Sequence, residues 1–344
     1  MTPSGKGTGP RVACIGGISI DRKLRSIAGL RFGTSNPVSG AIAPGGVARN
    51  VAHCLARLGC STSLFSAIGP DAPGEGLLDD LRSDGVDVSG VARSDDYPTA
   101  SYTAVFESDG RLSLGLADME IFTTLDADWA AGIRRRLESS DYWFVDANLP
   151  AATLERLLQK PPPEVRILAD PVSAPKAKRL LPVLPSIHAL FPDRREAMAL
   201  AAAGGMQAPR SVVPGRPSVD SGAREPAKLA EFSVAAGLIR DVGVATVVVS
   251  LGDEGVYVDD GERPRVVAAI PPTRVADVTG AGDALVAGYL YGLVSGSDDP
   301  LRLGLAAASL AVEREGSLAA DLTVERLDRR ADATRTVPPP SNRR

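Results

Sequence analysis

Short apolar runs alternate with helical patterns along most of the 344-residue chain. Apolar runs this short, bounded by turn residues, are typical of strands that are buried on both faces. Their alternation with helices predicts a mainly parallel sheet covered by helices on both faces, and ligands of such folds bind at the carboxyl ends of the strands. The predicted strands span residues 12–15, 63–66, 143–145, 167–169, 189–191 and 247–250, and the predicted helices span 47–58, 76–84, 128–138, 151–160, 194–202, 226–242, 282–293 and 301–314.

Composition argues against several classes of protein. The formal net charge is −4, which gives no reason to expect nucleic acid or an anionic membrane surface as a partner. No apolar run reaches the roughly 18 residues that a membrane-spanning helix needs. Three cysteines, Cys14, Cys54 and Cys60, accompany only two histidines. We interpret them as reduced residues of a cytoplasmic protein and not as a zinc site.

One region departs from the alternation of strands and helices. Two alternating runs at 102–106 and 112–116 flank Ser108-Asp109-Gly110, and Asp-Gly between such runs is typical of a β-hairpin. Together with a segment at 22–38, the segment 99–119 is predicted to form a small sheet that stands off the main domain. An ordinary edge hairpin is one interpretation, and a lid that closes over substrate and excludes water is the other.

Three segments have the composition of disordered chain. Residues 206–226 are rich in Pro, Gly and Ser, residues 1–10 are rich in Gly, and residues 329–344 include three consecutive prolines. Such segments cannot bury enough apolar surface to form a core. We predict a disordered insertion at 206–226 and flexible termini at 1–10 and 329–344, which leaves one domain over residues 11–327.

A glycine turn opens into an apolar helix within residues 275–289. Gly280 and Gly282 let a ligand approach the backbone closely, and the first turn of a helix offers free N–H groups and the positive end of the helix dipole, so a phosphate group fits there. Asp283 places a carboxylate beside that position. A base next to a phosphate site is what phosphoryl transfer to an alcohol requires. The structural alternative is an acidic residue that only compensates the helix dipole.

Further polar groups lie near predicted strand ends. Asp21 follows the first strand and is suited to accept hydrogen bonds from sugar hydroxyls, although a helix cap or a surface acid has the same pattern. Gly45 and Gly46 form a second turn into a helix whose first turn carries Asn50. Residues 250–255 follow a buried strand as a Gly-x-x-Gly turn, which is also typical of a β-hairpin.

The string Asp-x-Thr-Gly-Ala-Gly-Asp at 277–283 resembles the signature of the ribokinase-like carbohydrate kinases, the PfkB family, and Gly-Gly-x-x-x-Asn at 45–50 resembles the second signature of that family. The resemblance implies a ribokinase-like three-layer α/β/α fold with a mainly parallel central sheet and a small β-sheet lid. It implies ATP as the phosphate donor and a small-molecule nucleoside or sugar as the acceptor. By the same resemblance, Asp283 is the catalytic base and the backbone of Gly280, Ala281 and Gly282 forms the anion hole; Asp21, Gly45, Gly46 and Asn50 hold the sugar; and Ser250, Gly252, Gly255 and Lys176 approach the ATP phosphates.

The resemblance also implies two kinds of metal ion. Glu196 matches the acidic residue of an Asn-x-x-Glu motif that organises Mg²⁺ through water, but Asp193 stands where the family has Asn. The added charge would hold Mg²⁺ more tightly, or repel ATP where the metal is absent. A monovalent cation such as K⁺ is implied beside the glycine turn. Its expected ligands are Asp277, Thr279 and carbonyls near Ala311, Arg314 and Gly316.

Several strings are similar to those of the pseudouridine kinases within the family, at residues 34–37, 45–52, 117–121, 146–150 and 170–177. They favour a kinase for the 5′-hydroxyl of pseudouridine, with Asn36, Ser35 or Asp118 accepting the N1–H of the base. Another ribokinase-like kinase, for ribose, adenosine or another nucleoside, stays open. So does a non-catalytic member that binds nucleotide or nucleoside, which Asp193 favours and Asp283 disfavours. Family analogy further implies a homodimer through the lid.

Overall fold

The computed structural model describes residues 9–206, 226–316 and 322–333. Its strands are β1 (Arg11–Ile15), β2 (Ser19–Ser26), β3 (Val38–Gly45), β4 (Ser61–Phe65), β5 (Ala67–Ile68), β6 (Ala92–Arg93), β7 (Ser101–Phe106), β8 (Leu112–Asp118), β9 (Tyr142–Asp146), β10 (Arg166–Asp170), β11 (Ala189–Leu190), β12 (Thr246–Ser250), β13 (Val256–Asp259) and β14 (Arg265–Val267). Its helices are α1 (Val47–Arg57), α2 (Ala72–Ser83), α3 (Ala127–Leu137), α4 (Ala151–Leu158), α5 (Ala174–Ala177), α6 (Arg194–Ala203), α7 (Pro226–Asp241), α8 (Ala281–Ser295), α9 (Pro300–Ala311) and α10 (Val324–Asp332).

Eight strands form the central sheet in the order β14-β13-β12-β11-β10-β9-β1-β4. Neighbouring strands from β12 to β4 are parallel, whereas β13 and β14 are antiparallel. Successive side chains of a strand point to opposite faces, so Phe144 of β9 packs in the core on one face and Trp143 in the core on the other. Burial on both faces explains why these strands are continuous apolar runs in the sequence. The prediction of a mainly parallel sheet is confirmed.

Helices cover both faces of the central sheet, as the alternation predicts. One apolar core includes residues of α1, α8, α9 and α10, and the other includes residues of α3, α4, α6 and α7. α8 packs between α1 and α9. A Cβ on Gly288 of α8 would lie 2.5 Å from the carbonyl oxygen of Leu303, so α8 and α9 approach closely at this glycine. The glycine turn at the start of α8 is therefore carried by a tightly packed helix.

A second sheet is separate from the first and has the order β3-β2-β7-β8. We call it the lid sheet. β7 and β8 are the two strands of the predicted hairpin, and β2 lies parallel to β7. The predicted segment 22–38 begins too late and ends too early, because β2 begins at Ser19 and its partner strand β3 spans Val38–Gly45. β8 is exposed along its whole length.

Helix α10 extends beyond residue 329, where the sequence predicts the start of a flexible terminus. It runs to Asp332, and Leu327 and Ala331 are buried on its inner side. The prediction of a flexible terminus from residue 329 is therefore wrong for residues 329–333. Only two buried positions in a helix of nine, most of the others charged, left a weak apolar pattern in the sequence. Residues 1–8, 207–225 and 334–344, on which the other predictions of disorder fall, lie outside the described residues.

The helices and the cysteines bear on two interpretations of the composition, the lack of a membrane-spanning helix and the reduced state of the cysteines. Among the described helices, none combines the length and the apolar character that crossing a membrane requires. All three cysteines carry free thiols, and Cys14 and Cys54 are buried in the core. Burial raises the pKa of each of the three thiols, so they are poor nucleophiles.

Candidate active site

The start of α8 is shaped as an anion site. Gly280 precedes the helix with φ 78°, a left-handed conformation that glycine adopts without strain. No side chain among the described residues caps this helix end. The N–H of Ala281 donates to the carbonyl of Val278 at 3.4 Å, so the N–H groups of Gly282 and Asp283 are those available to a ligand. A Cβ on Gly282 would meet no described atom within 4 Å. Protein packing therefore does not explain Gly282, whereas a ligand in the open space beside it would.

Asp283 lies in the first turn of α8 and is partly buried. Nδ2 of Asn50 donates a hydrogen bond to Oδ2 of Asp283 at 2.6 Å. Burial, together with the negative charges of Asp146 and Asp21, raises the pKa of Asp283 to about 7 despite that hydrogen bond. A carboxyl group with this pKa is suited to take a proton near neutral pH.

The amide of Asn50 is held in one orientation by its neighbour. Nη1 of the buried Arg49 donates to Oδ1 of Asn50 at 3.2 Å, so the amide nitrogen is the atom that faces Asp283. Burial lowers the pKa of Arg49 to about 10, which leaves the guanidinium charged at neutral pH. Arg49 is a positioning residue that the sequence reasoning missed, because a buried arginine inside a helix has no distinctive pattern.

Asp146 anchors two backbone segments of the site, the loop after β1 and the start of α1. Its fully buried carboxylate accepts hydrogen bonds from the backbone N–H of Gly17 at 2.8 Å and of Ala48 at 2.9 Å. Ala48 lies in the first turn of α1, two residues before Asn50, so Asp146 sets the position of Asn50. A Cβ on Gly16 would lie within 2.5 Å of the Asp146 carboxylate. In the sequence, Asp146 is visible as a carboxylate at the end of a buried strand. It entered the prediction only as part of the string 146–150, which is similar to that of the pseudouridine kinases.

Asp21 lies on β2 of the lid sheet, so it belongs to that sheet and not to the segment between the first strand and the predicted lid. Oγ of Ser19 donates to its carboxylate at 3.1 Å. A Cβ on Gly45 would lie 2.2 Å from Oδ1 of Asp21, so this glycine makes room for the carboxylate. Gly46 has φ 94° and lies against the carbonyl of Gly17. The predicted sugar-binding residues Asp21, Gly45, Gly46 and Asn50 therefore come together beside Asp283.

A cavity of about 300 Å³ adjoins the start of α8. Its walls are mostly apolar, as suits the base and sugar of a nucleotide. Gly255 has φ 104°, and a Cβ there would lie 2.1 Å from the carbonyl oxygen of Val267, so its glycine is explained by the fold. The lining includes three of the predicted ATP-binding residues together with two residues of the glycine turn: Ser250, Gly252, Gly255, Ala281 and Gly282.

Lys176 is placed differently from these residues. Its Nζ donates to Oδ1 of Asn148 at 2.6 Å, and it is not among the residues that line the cavity. The backbone N–H of Asn148 in turn donates to Asp146 at 2.8 Å. Burial lowers the pKa of Lys176. A role for Lys176 toward ATP phosphates stays a prediction that the cavity lining does not support.

Asp193 and Glu196 form a capping box at the start of α6. Oδ1 of Asp193 accepts the backbone N–H of Glu196 at 2.7 Å, and Oε2 of Glu196 accepts the backbone N–H of Asp193 at 2.8 Å. Burial, together with the charge of Asp193, raises the pKa of Glu196 to about 7 despite the latter hydrogen bond. Each carboxylate keeps a second oxygen outside the box.

The carboxylates around these strand ends favour a bound cation. Burial raises the pKa of Asp170 well above its usual range, and the charges of Glu196 and Asp283 raise it further. Carboxylates that destabilise one another in this way suit Mg²⁺, which prefers oxygen ligands and keeps several waters. Within the described residues, no three His, Cys, Asp or Glu side chains converge as direct ligands of one ion. This arrangement fits the predicted binding of Mg²⁺ through water.

Replacing Asp193 by Asn tests its contribution to metal binding. We expect a higher Mg²⁺ concentration for half-maximal rate, because one negative charge is removed, and little change in maximal rate. The assay belongs at pH 8, where Glu196 is largely ionised in both proteins. Asn caps a helix about as well as Asp, so Tm should stay unchanged, whereas the control Asp193→Ala should lose about 1 kcal/mol of stability. An unaltered Mg²⁺ curve would place Asp193 outside the metal site.

The lid residues predicted to contact the base are only partly suited to that role. Oδ1 of Asn36 already accepts the backbone N–H of Arg31 at 2.7 Å, and its Nδ2 donates to two backbone carbonyls of the same loop. Ser35 is exposed in that loop. By register, Asp118 lies on the opposite face of the lid sheet from Asp21, whereas Tyr102 lies on the same face. The structure therefore argues against Asp118 and Asn36 and adds Tyr102, which the sequence reasoning missed.

The residues expected to bind a monovalent cation are partly together. Oδ1 of Asp277 accepts the backbone N–H of Thr279 at 3.0 Å, and Oδ2 accepts that of Gly316 at 3.2 Å. The carbonyl of Ala311 accepts the backbone N–H of Arg314 at 3.3 Å. Nζ of Lys23, on β2, lies 2.5 Å from both Oδ2 of Asp277 and Oγ1 of Thr279. Lys23 was not singled out from the sequence.

Comparison with known proteins adds the family context to this geometry. The model of the pfkB family carbohydrate kinases matches residues 10–323. Pseudouridine kinase of Escherichia coli is 31% identical over 315 residues, which cover 91% of this chain and 94% of that protein. A carbohydrate kinase from Agrobacterium tumefaciens superposes with a TM-score of 0.74 at 30% identity, covering 94% of this chain and 97% of the other. Arabidopsis thaliana ribokinase, solved with ribose and ATP, gives a TM-score of 0.74 at 22% identity, covering 94% and 98% of the two chains.

Proposed function

The chain belongs to the pfkB family of carbohydrate kinases, phosphotransferases that act on a hydroxyl group of sugars and nucleosides, and we propose that its acceptor is the 5′-hydroxyl of pseudouridine. The observation that carries the proposed chemistry is the position of Asp283. It lies at the start of α8 beside the nucleotide cavity, with its carboxylate bonded to Asn50 at 2.6 Å. The sugar-binding candidate Asp21 is close enough for its charge to raise the pKa of Asp283.

The proposed reaction uses Asp283 as general base. Asp283 takes the proton of the acceptor hydroxyl as that oxygen attacks the γ-phosphorus of ATP. The new O–P bond forms, the bond from the γ-phosphorus to the bridging oxygen breaks, and ADP leaves. Backbone N–H groups from Gly280 to Asp283 stabilise the charge on the transferred group, because they need no reorganisation during the reaction. Glu196 and Asp193 would hold Mg²⁺ through water, and the bound ion would neutralise part of the phosphate charge.

The proposed substrate rests on similarity over nearly the whole chain. The matching pseudouridine kinase of Escherichia coli is 31% identical over 91% of this chain. Ribose is the second candidate, because the superposed ribokinase was solved with ribose and ATP. A non-catalytic binding protein is disfavoured, since a base with a pKa of about 7 beside an anion site has no evident role in binding alone.

The deciding experiment incubates the protein with Mg-ATP and each of pseudouridine, uridine, adenosine and ribose. Formation of ADP and of the phosphorylated product, identified by mass and by ³¹P NMR, is measured under one set of conditions. We expect pseudouridine 5′-phosphate to be the product formed fastest. Faster phosphorylation of another acceptor would reassign the substrate, and a protein that binds nucleotide without turnover would be a non-catalytic member.

We also propose that the outer face of the lid sheet binds a second copy of the chain. Ile42 is 71% exposed and Leu116 57% exposed, and by register both lie on the face opposite Asp21, together with Leu114. An exposed apolar patch of this kind marks an interaction surface. The same patch is present on every copy of the chain, so two copies can bury it against each other in a symmetric contact.

Replacing Leu116 by Asp tests the dimer. We expect light scattering after size exclusion to change from a dimer mass to a monomer mass, because each copy would bury an unpaired charge at the contact. Val242→Asp, which adds the same charge at an exposed site on the main domain, should leave the mass unchanged. A wild-type protein that is monomeric at micromolar concentration would contradict the proposal outright.

A further inference from the structure

Lys23 connects the lid sheet to the loop that precedes the anion site. Its Nζ donates to Oδ2 of Asp277 and to Oγ1 of Thr279, each at 2.5 Å. The pair is largely shielded from water, with the Lys23 and Asp277 side chains 30% and 19% exposed. Partial burial alone would raise the pKa of Asp277, but hydrogen bonds from Lys23, Thr279 and Gly316 lower it to about 2. Asp277 is therefore an ionised carboxylate whose partner is an ammonium group.

The same residues do not fit the monovalent cation that the family resemblance implies. A metal cation there needs several oxygen atoms that converge with free lone pairs. In the described residues, Asp277 and Thr279 are already bonded to Lys23, the carbonyl of Ala311 accepts a backbone N–H, and Gly316 presents an N–H to Asp277. Hydrogen-bond donors, rather than acceptors, converge on Asp277. A second positive charge at this point would lie against the Lys23 ammonium.

We propose that the Lys23 ammonium group is the internal cation of this loop and replaces a monovalent metal ion in supporting the anion site. An ammonium group and K⁺ carry the same charge, but the ammonium is tethered to β2 and directs its N–H groups at fixed acceptors. Thr279 directly precedes Gly280, so the contact holds the residue from which the anion turn begins. The chain therefore needs no K⁺ at this site.

The tether also joins two parts of the active site. Asp21 and Lys23 are two positions apart on β2, so both side chains point to the same face of the lid sheet. Asp21 faces the acceptor sugar in the proposed function, and Lys23 bonds to the loop before the phosphate site. The position of the lid sheet thus fixes the sugar-binding carboxylate and the anion turn together.

The experiment compares wild type, Lys23→Ala and Arg135→Ala at constant ionic strength, in tetramethylammonium chloride and in KCl or NH₄Cl. Arg135→Ala is the control, because it removes one exposed positive charge from α3, which belongs to neither the candidate site nor the lid sheet. We expect the wild-type rate to differ by less than about twofold between salts, since screening is held constant. Lys23→Ala should lose roughly ten- to hundredfold in kcat/KM in tetramethylammonium, as when support of an anion hole is removed, and K⁺ or NH₄⁺ should restore part of it. Arg135→Ala should match wild type.

A second readout keeps this inference separate from the proposed function, on which the rate measurement rests. Without substrates, the Tm of Lys23→Ala should rise by about 1–3 °C in KCl relative to tetramethylammonium chloride, because the vacated site binds the cation, whereas the wild-type Tm should not. If the protein has no kinase activity but Lys23→Ala still shows this rise in Tm, the proposed function is contradicted and the internal cation is supported. Three results would overturn the inference of an internal cation. They are activation of wild type by K⁺, full activity of Lys23→Ala, and a loss of activity in Lys23→Ala that neither K⁺ nor NH₄⁺ restores.

Discussion

Replacing Asp283 by Asn should lower kcat by about 10²–10⁴-fold while the fold and ATP binding persist. The Asn oxygen can still accept the hydrogen bond from Asn50, and the backbone N–H groups of the anion site are unchanged. What the variant loses is the capacity to take a proton. The measurement is steady-state ADP formation together with ATP affinity by calorimetry, and ATP affinity should hold or rise, because a negative charge beside the phosphates is removed.

The same variant should show the linkage between this carboxylate and stability. In the unfolded chain Asp283 ionises with a pKa of 3.8, whereas burial raises it to about 7 in the folded protein. The folded state therefore binds a proton that the unfolded state has released, and stability falls as pH rises from about 4 to about 7. At pH 8 the raised pKa of Asp283 lowers the free energy of unfolding by at most about 4 kcal/mol. Asp283→Asn should therefore raise Tm at pH 8 and raise it less at pH 4.

A control and a pH profile complete this test. Asp298→Asn, which removes an exposed carboxylate beyond the other end of α8, should change neither kcat nor Tm. In wild type, kcat/KM should fall about tenfold between its plateau above pH 7 and pH 6, because protonated Asp283 cannot act as base. A variant that turns over at a near wild-type rate would contradict the assignment of the base.

Pseudouridine should be preferred over uridine in kcat/KM by up to roughly 10⁴–10⁵-fold. The two nucleosides differ in the ring atom that joins the ribose, so pseudouridine presents an N1–H donor where uridine has an apolar C5–H. A site built to accept that hydrogen bond leaves a buried acceptor unpaired when uridine binds, and the loss of that bond is what discriminates.

The acceptor should lie on the face of the lid sheet that carries Asp21. Tyr102 is the direct register partner of Asp21 on this face, and its hydroxyl lies over Gly115 of β8. Tyr102→Phe should lower the pseudouridine-to-uridine ratio by roughly 5- to 100-fold, the effect of one lost hydrogen bond. Ser35→Ala is the matched comparison, since Ser35 is the remaining candidate from the sequence. Equal use of uridine by wild type would move the chain to another branch of the family, while leaving the assignment of Asp283 untouched.

The fold and the centre of the site were accessible from the sequence because they follow local rules. Strands buried on both faces are apolar runs, and a glycine turn before a helix is visible in the sequence, so Gly280, Asp283 and Asn50 could be singled out as candidate site residues. The boundaries that failed are those that depend on partners. β3 has few buried residues and extends to Gly45 because it pairs with β2, and α10 exists because α9 offers it a surface.

The positioning residues were not accessible for the same reason. Asp146 and Lys23 act on residues that are distant in sequence, whereas Arg49 acts on the adjacent Asn50. Nothing in the sequence around Arg49 or Lys23 distinguishes either residue from a surface charge. The contact between Lys23 and Asp277 spans 254 positions of the chain. Residues expected from family resemblance to bind a metal ion proved to be bonded to a side chain that only the folded structure brings near.

The separate lid sheet described above bears on how proteins of this architecture diverge. Its strands pair only with one another among the described strands, and β8 has no buried residue. A substitution on β8 therefore disturbs little of the apolar core, whereas a change at Gly280 or Asp146 alters a position fixed by the central fold. Selection can rework what the lid recognises while the phosphate-transferring centre is inherited intact. An exposed sheet of this kind is a place where new acceptor specificities can arise at small cost to stability.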